Sequence, residues 1–85
     1  MSSFVIKRKP EALSQFGIKS STFYEWINRG LMVPGVALGH RSVGFPADEL
    51  DKIAAARIAG KSEDDIRSLV RDLIAARSHA DALAA

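Results

Sequence analysis

The chain has no cysteine, which excludes a disulfide framework, a thiolate metal site and a cysteine nucleophile, and makes a reducing compartment its natural setting. No apolar run approaches the roughly eighteen residues that span a bilayer. The opening MSSFVIKRK lacks the apolar core and small-residue cleavage site of a secretory signal. The expectation is a soluble, cytoplasmic protein with no membrane partner. Histidine occurs only at His40 and His79, and neither stands at a metal or triad spacing from carboxylates. The glycines of GVALGHRSVG do not lead through a lysine and a hydroxyl residue into a helix, so they are not a phosphate loop. Glu63, Asp64 and Asp65 lack the alternating ligand spacing of a calcium loop and suit the first turn of a helix instead. No catalytic residue, metal or cofactor is therefore expected.

What is present suits one small domain: 85 residues, 47% of them hydrophobic, are too few for two independent cores. Charge is unevenly placed. Residues 1–45 hold six basic and two acidic side chains, a net of +4, whereas residues 46–85 hold six basic and eight acidic ones, a net of −2. A basic front joined to a mildly acidic rear points to a polyanion-facing surface on the first part.

The elements follow from periodicity and from their end signals. Phe4, Val5 and Ile6 read as a short extended run, followed by the basic triplet Lys7, Arg8 and Lys9. A brief helix opens at Pro10, carries Ala12, Leu13 and Phe16 on one side, and stops at Gly17. Phe23, Trp26 and Ile27 mark the buried face of a second helix over 19–29, closed by Gly30. Ser20 can cap it directly, and Thr22 with Glu25 spells a capping box that starts later; the earlier start is preferred. Val36–Leu38 and Val43–Phe45 form a hairpin around a Gly39-His40-Arg41-Ser42 turn, which must lean on the helices or pair with residues 4–6. Pro46 opens a third helix with Asp48 and Glu49 as partners of its dipole, and its stripe runs Leu50, Ile53, Ala54 and then Arg57 or Ile58, up to Gly60. Ser62 caps a fourth helix from about residue 63, with the stripe Ile66, Leu69, Val70, Leu73 and Ile74 continued weakly by Leu83.

A short helix, a glycine turn, a second helix with a polar outer face, and a hairpin with a basic tip occur in winged helix-turn-helix order. The fold class is mainly α with a small β-hairpin wing, plus an extra C-terminal helix. Residues 1–60 form the DNA-binding unit, and 61–85 form a helix for packing or self-association. In such modules the second helix offers side chains to base edges while the wing reaches backbone or minor groove. Ser20, Tyr24 and Asn28 are candidates for bases or phosphates, and Lys19, Arg29 and Arg41 for phosphates, with His40 beside Arg41 at the tip.

GIKSSTFYEWINRGLMVPGVALGHRSVGFPADELDKIAAARIAG, about half the chain, resembles the AlpA family of short phage and mobile-element regulators, related in fold to MerR-type and excisionase winged-helix domains. The resemblance rests on Gly17, Ser21-Thr22-Phe23-Tyr24, Trp26-Ile27, Gly30, LGHRSVGF and the acid-rich helix start after Pro46. It implies a sequence-specific binder of double-stranded DNA that controls transcription of an integrase or serves as the recombination directionality factor, with the integrase as a partner. Carried over, Ser21, Thr22 and Tyr24 fall in the recognition helix and Arg41 in the wing. Where the family usually has a capping serine and then an arginine, this chain has Lys19 and Ser20. The segment from Lys61 onward exceeds the usual family domain; its stripe either folds back on the core or pairs with a second subunit on DNA. The competing class is a protein-interaction adaptor that keeps the fold without binding DNA.

Overall fold

A computed structural model describes residues 4–84, and the surroundings of side chains from 4 to 78. The readings of His79 as a surface residue and of Leu83 as part of the last stripe lie outside the described side chains. The chain runs β1 (Ile6–Lys7), α1 (Lys9–Phe16), α2 (Ser20–Asn28), β2 (Val36–Gly39), β3 (Ser42–Pro46), α3 (Ala47–Ile58) and α4 (Glu63–Ala84).

Helix α1 begins one residue before the expected Pro10, with Arg8 as its N-cap; the Glu11 carboxylate accepts the Arg8 backbone N–H at 3.1 Å. It stops because Gly17 adopts φ 64°, a left-handed conformation that costs glycine little and any other residue more. That turn lets Gly17 N–H donate to the Ser14 carbonyl and Ile18 N–H to the Leu13 carbonyl, at 3.3 and 3.2 Å. The same two-bond closure ends α2 at Gly30 and Leu31, and α3 at Gly60 and Lys61. Because the turn after α1 is so short, α2 starts within three residues and the helix-turn-helix angle is set locally.

The three strands form one antiparallel sheet in the order β1-β3-β2. Ile6 pairs with Pro46 and Lys7 with Phe45, so the wing does draw on the N-terminal run, over two residues of ladder. An isolated hairpin is marginal in water, and the third strand is what makes the wing viable. Pro46 then caps α3, and the Ala47 N–H donates back to the Val5 carbonyl at 2.8 Å.

One apolar cluster holds the chain together: Ala12 from α1, Phe23 from α2, Leu31, Met32 and Val33 from the following loop, Phe45 from β3, Leu50 and Ile53 from α3, and Ile66, Val70 and Leu73 from α4. The last stripe thus folds back onto this chain's own core. Two expected stripe members do not follow. Ile74 is 41% exposed, and Ile58 is 87% exposed. Ile58 stands five residues past Ile53, off the buried face, and the i+4 position goes to Arg57, whose guanidinium lies 3.6 Å over the Trp26 ring. Burial lowers the pKa of Arg57 from its ordinary value, and the charge of Glu63 opposes that shift. The Ser62 hydroxyl accepts the Asp65 N–H at 3.1 Å and caps α4 as expected.

Glu49 stands in the first turn of α3 as expected, and it is also buried, receiving two bonds from Arg77 at 3.0 and 2.7 Å. The same guanidinium donates to the Pro34 carbonyl at 2.8 Å, tying α4 to α3 and to the loop before β2. Arg77→Met leaves a buried carboxylate without its partner, and the expected loss is about 3 kcal/mol. Urea denaturation measures it. Adding Glu49→Gln, which removes the stranded charge, is expected to restore part of the loss.

Candidate nucleic-acid interface

The inner side of α2 is fixed by aromatic contacts. Phe23 is fully buried with its ring edge-on to Phe45, centroids 5.0 Å apart at 87°, and Trp26 meets Phe16 edge-on at 5.9 Å. With those rings seated, the outer stripe is Ser21, Tyr24, Glu25 and Asn28, all exposed and repeating at one helical face. Ser20 and Thr22 are half-buried on its flanks. Neither of them caps the helix. The N-cap is Lys19, extended at φ −81° and ψ 160°, and it supplies no side-chain acceptor to the first turn. The first intrahelical bond runs from the Phe23 N–H to the Lys19 carbonyl at 3.0 Å, so Ser20 stands at the first helical position rather than before it.

Tyr24 has a neighbour fifteen positions away in sequence. Lys9, at the start of α1, donates from Nζ to the Tyr24 hydroxyl at 3.1 Å and lies 4.4 Å from the ring centroid. Between α2 and the wing these two side chains border a cleft of about 330 Å³, completed by Ile27, Gly35, Val43 and Phe45. Gly35 is required by close approach: a Cβ there would collide with Val43 Cγ1 and press on the Phe45 ring. The basic triplet is therefore divided. Lys7 turns away and donates to Gln15 Oε1 at 2.8 Å, and Gln15 in turn donates to Asp51.

At the other end of α2, Arg29 is exposed but engaged. It donates to both Glu63 oxygens at 3.0 and 3.3 Å and lies 3.9 Å from Glu25, while Arg67 donates to the Arg29 carbonyl at 2.9 Å. These pairs tie the C-terminal end of α2 to the first turns of α4. Exposed ion pairs of this kind are worth about 0–1 kcal/mol, so the arginine is exchangeable.

The hairpin tip is a two-residue loop, His40 and Arg41, between the paired Gly39 and Ser42. Both side chains are exposed, and Arg41 sits at φ 64°. The structure gathers Ser21, Tyr24 and Asn28 on one stripe and His40 with Arg41 on the wing, with Lys19 at the head of α2; Arg29 alone of these makes ion pairs among the described residues. Sequence reasoning passed over Lys9 and Glu25 as site residues. Glu25 is legible from its place on the outer stripe, but nothing in the sequence signals that Lys9 reaches Tyr24.

A helix-turn-helix whose second helix turns a polar stripe outward, followed by a sheet-supported hairpin, defines a winged helix-turn-helix module. Among the described residues no helix is long and apolar enough to cross a membrane. The chain belongs to the AlpA family: the family model described as Prophage CP4-57 regulatory protein (AlpA) matches residues 5–58. "Uncharacterized protein ORF88" of Enterobacteria phage P4 is 39% identical over 54 residues, 64% of this chain and 61% of that protein. No solved structure matches. The family match spans β1 through α3 and stops before α4. The protein is thus a member of a prophage regulatory family.

A left-handed arginine carries a backbone cost of about 1–2 kcal/mol that glycine does not. Arg41→Gly is expected to leave the fold intact and to raise stability by about 0.5 kcal/mol after the extra chain entropy of glycine is offset. Thermal unfolding of the two proteins side by side checks this.

Proposed function

We propose that the protein is a non-enzymatic, cytoplasmic regulator that binds double-stranded DNA in a sequence-specific manner, acting at a promoter of its element, at the attachment site as a directionality factor, or at both. The observation that carries this reading is the exposed polar stripe of α2 next to a wing that presents Arg41, within a family whose description is regulatory. In this docking, Ser21, Tyr24 and Asn28 face base edges in the major groove, and His40 and Arg41 reach the flanking backbone. Ser20 and Thr22 flank the stripe. The first-turn N–H groups of α2, left uncapped by Lys19, suit a phosphate, and the Lys19 ammonium adds to that attraction. Arg29 contributes less than its charge suggests, because a phosphate must displace Glu63 to reach it.

Residues 1–60 make the DNA contacts in this reading, and Ile66, Val70 and Leu73 of α4 complete the core. One module of this size covers little DNA, so copies bound side by side are expected, with an integrase as a further partner where the site is an attachment site. Self-association through α4 must use what its own core leaves over. Ile66, Val70 and Leu73 are buried within the chain, and Ile74 is exposed.

Fluorescence anisotropy with duplexes tiled across the upstream region of the gene and the attachment site, at low and near-physiological salt, tests the reading. Tight binding at one tile and steep weakening with salt are expected. Arg41→Gly is expected to weaken all duplexes alike and to reduce the magnitude of the log–log salt slope by about 1. Weak retention on every tile, lost at physiological salt, would overturn the proposal and leave an adaptor that binds through protein contacts.

A further inference from the structure

The cleft between α2 and the wing has a chemistry narrower than general DNA binding. A lysine ammonium only donates hydrogen bonds, so in the 3.1 Å contact the Tyr24 oxygen is the acceptor and its own proton is left to donate outward. No described residue accepts that proton. Polarisation by the Lys9 charge strengthens the phenol as a donor. Tyr24 is half exposed, 50% by area, on the stripe that faces outward. Beyond Lys9, Tyr24 and Gly35, the walls of the same cleft are apolar: Ile27, Val43 and Phe45, with Val43 47% exposed.

A donor next to an apolar wall selects among base edges. In the major groove the acceptors open to a single donor are guanine N7 and O6, adenine N7 and thymine O4. Guanine sets a second acceptor, and adenine an amino group, beside its acceptor; either would press a polar group against Ile27 and Val43 with no partner, a costly arrangement. Cytosine offers an amino donor to a donor. Thymine alone pairs an acceptor with a methyl group, and that pairing mirrors the cleft. We infer that this cleft is a thymine-reading subsite, in which the Tyr24 hydroxyl donates to O4, the C5-methyl rests on Val43 and Ile27, and Lys9 acts as the positioning residue that holds the phenol proton outward. The inference rests on the DNA-binding reading and gives it a base.

The test begins with selection of bound duplexes from a randomised pool by the full chain. In the selected site each thymine is then replaced in turn by deoxyuridine, which removes the methyl group and nothing else. One position is expected to lose roughly fourfold in affinity, the weight of one buried methyl. At that position thymine is expected to exceed cytosine by at least tenfold, and Tyr24→Phe is expected to abolish most of that preference while leaving other positions unchanged. Lys9→Met is expected to lower the same preference in the native background and to change it no further in the Tyr24→Phe background. A lysine serving only a phosphate would instead weaken every sequence equally. If a site is selected but contains no thymine sensitive to deoxyuridine, or if Tyr24→Phe leaves the base preference unchanged, the subsite assignment is overturned and DNA binding stands. If no duplex is selected at all, both readings fall.

Discussion

The near-perpendicular contact between Phe23 and Phe45 fixes α2 relative to the wing. Phe23 is buried from the inner side of α2, so the outer stripe points wherever the Phe23 ring is seated. Phe45 sits on β3 in register with Lys7, so the seat is itself held by the three-stranded ladder. Gly35 leaves room for Val43 against that ring, which brings the base of the hairpin close to Tyr24. Helix orientation, wing placement and the cleft between them are therefore consequences of one packing arrangement. In a close-packed core a methylene-scale change there is felt on the outer surface.

The basic character of the front half is spent unevenly once the chain is folded. Lys7 is directed to Gln15, Arg29 to Glu63 and Glu25, and Lys9 to Tyr24, while Arg8, Lys19 and Arg41 have no ion pair among the described residues. Net charge by sequence counts all of these alike. The folded surface separates cations that organise the protein from cations it leaves unpaired, and the three left over stand before α1, at the head of α2 and at the tip of the wing. This sorting makes a winged-helix docking intelligible with a formal charge of only +2.

Much of the fold was legible because its signals are local. The spacing of Phe23, Trp26 and Ile27 gave the face of α2, glycine ended three helices, Pro46 and Ser62 opened the last two, and the hairpin turn fell between Gly39 and Ser42. Where the reading departed from the structure, the cause was a partner distant in sequence. Glu49 is legible as a first-turn acid of α3, but its burial against Arg77, which the fold brings 28 positions back to it, is not. Ile58 looks as good as Arg57 until Trp26 offers a ring face. Ser20 looks like a cap because serine prefers that position, but the two bonds that close α1 set the chain one residue ahead, so Lys19 takes the place. The same holds for the candidate site: the outer stripe of α2 can be read from periodicity, whereas Lys9 joins it only through the packing of α1.

The AlpA match ends at residue 58, whereas the apolar cluster runs on through Leu73 and the buried ion pair through Arg77. Ile66, Val70 and Leu73 belong to the same cluster as Leu50 and Ile53, so α4 closes the core that the family segment begins. A fusion, truncation or transplant whose boundary is drawn from sequence similarity would cut through that core and strand Glu49 as well. In this chain the segment shared by descent is smaller than the segment that must fold together.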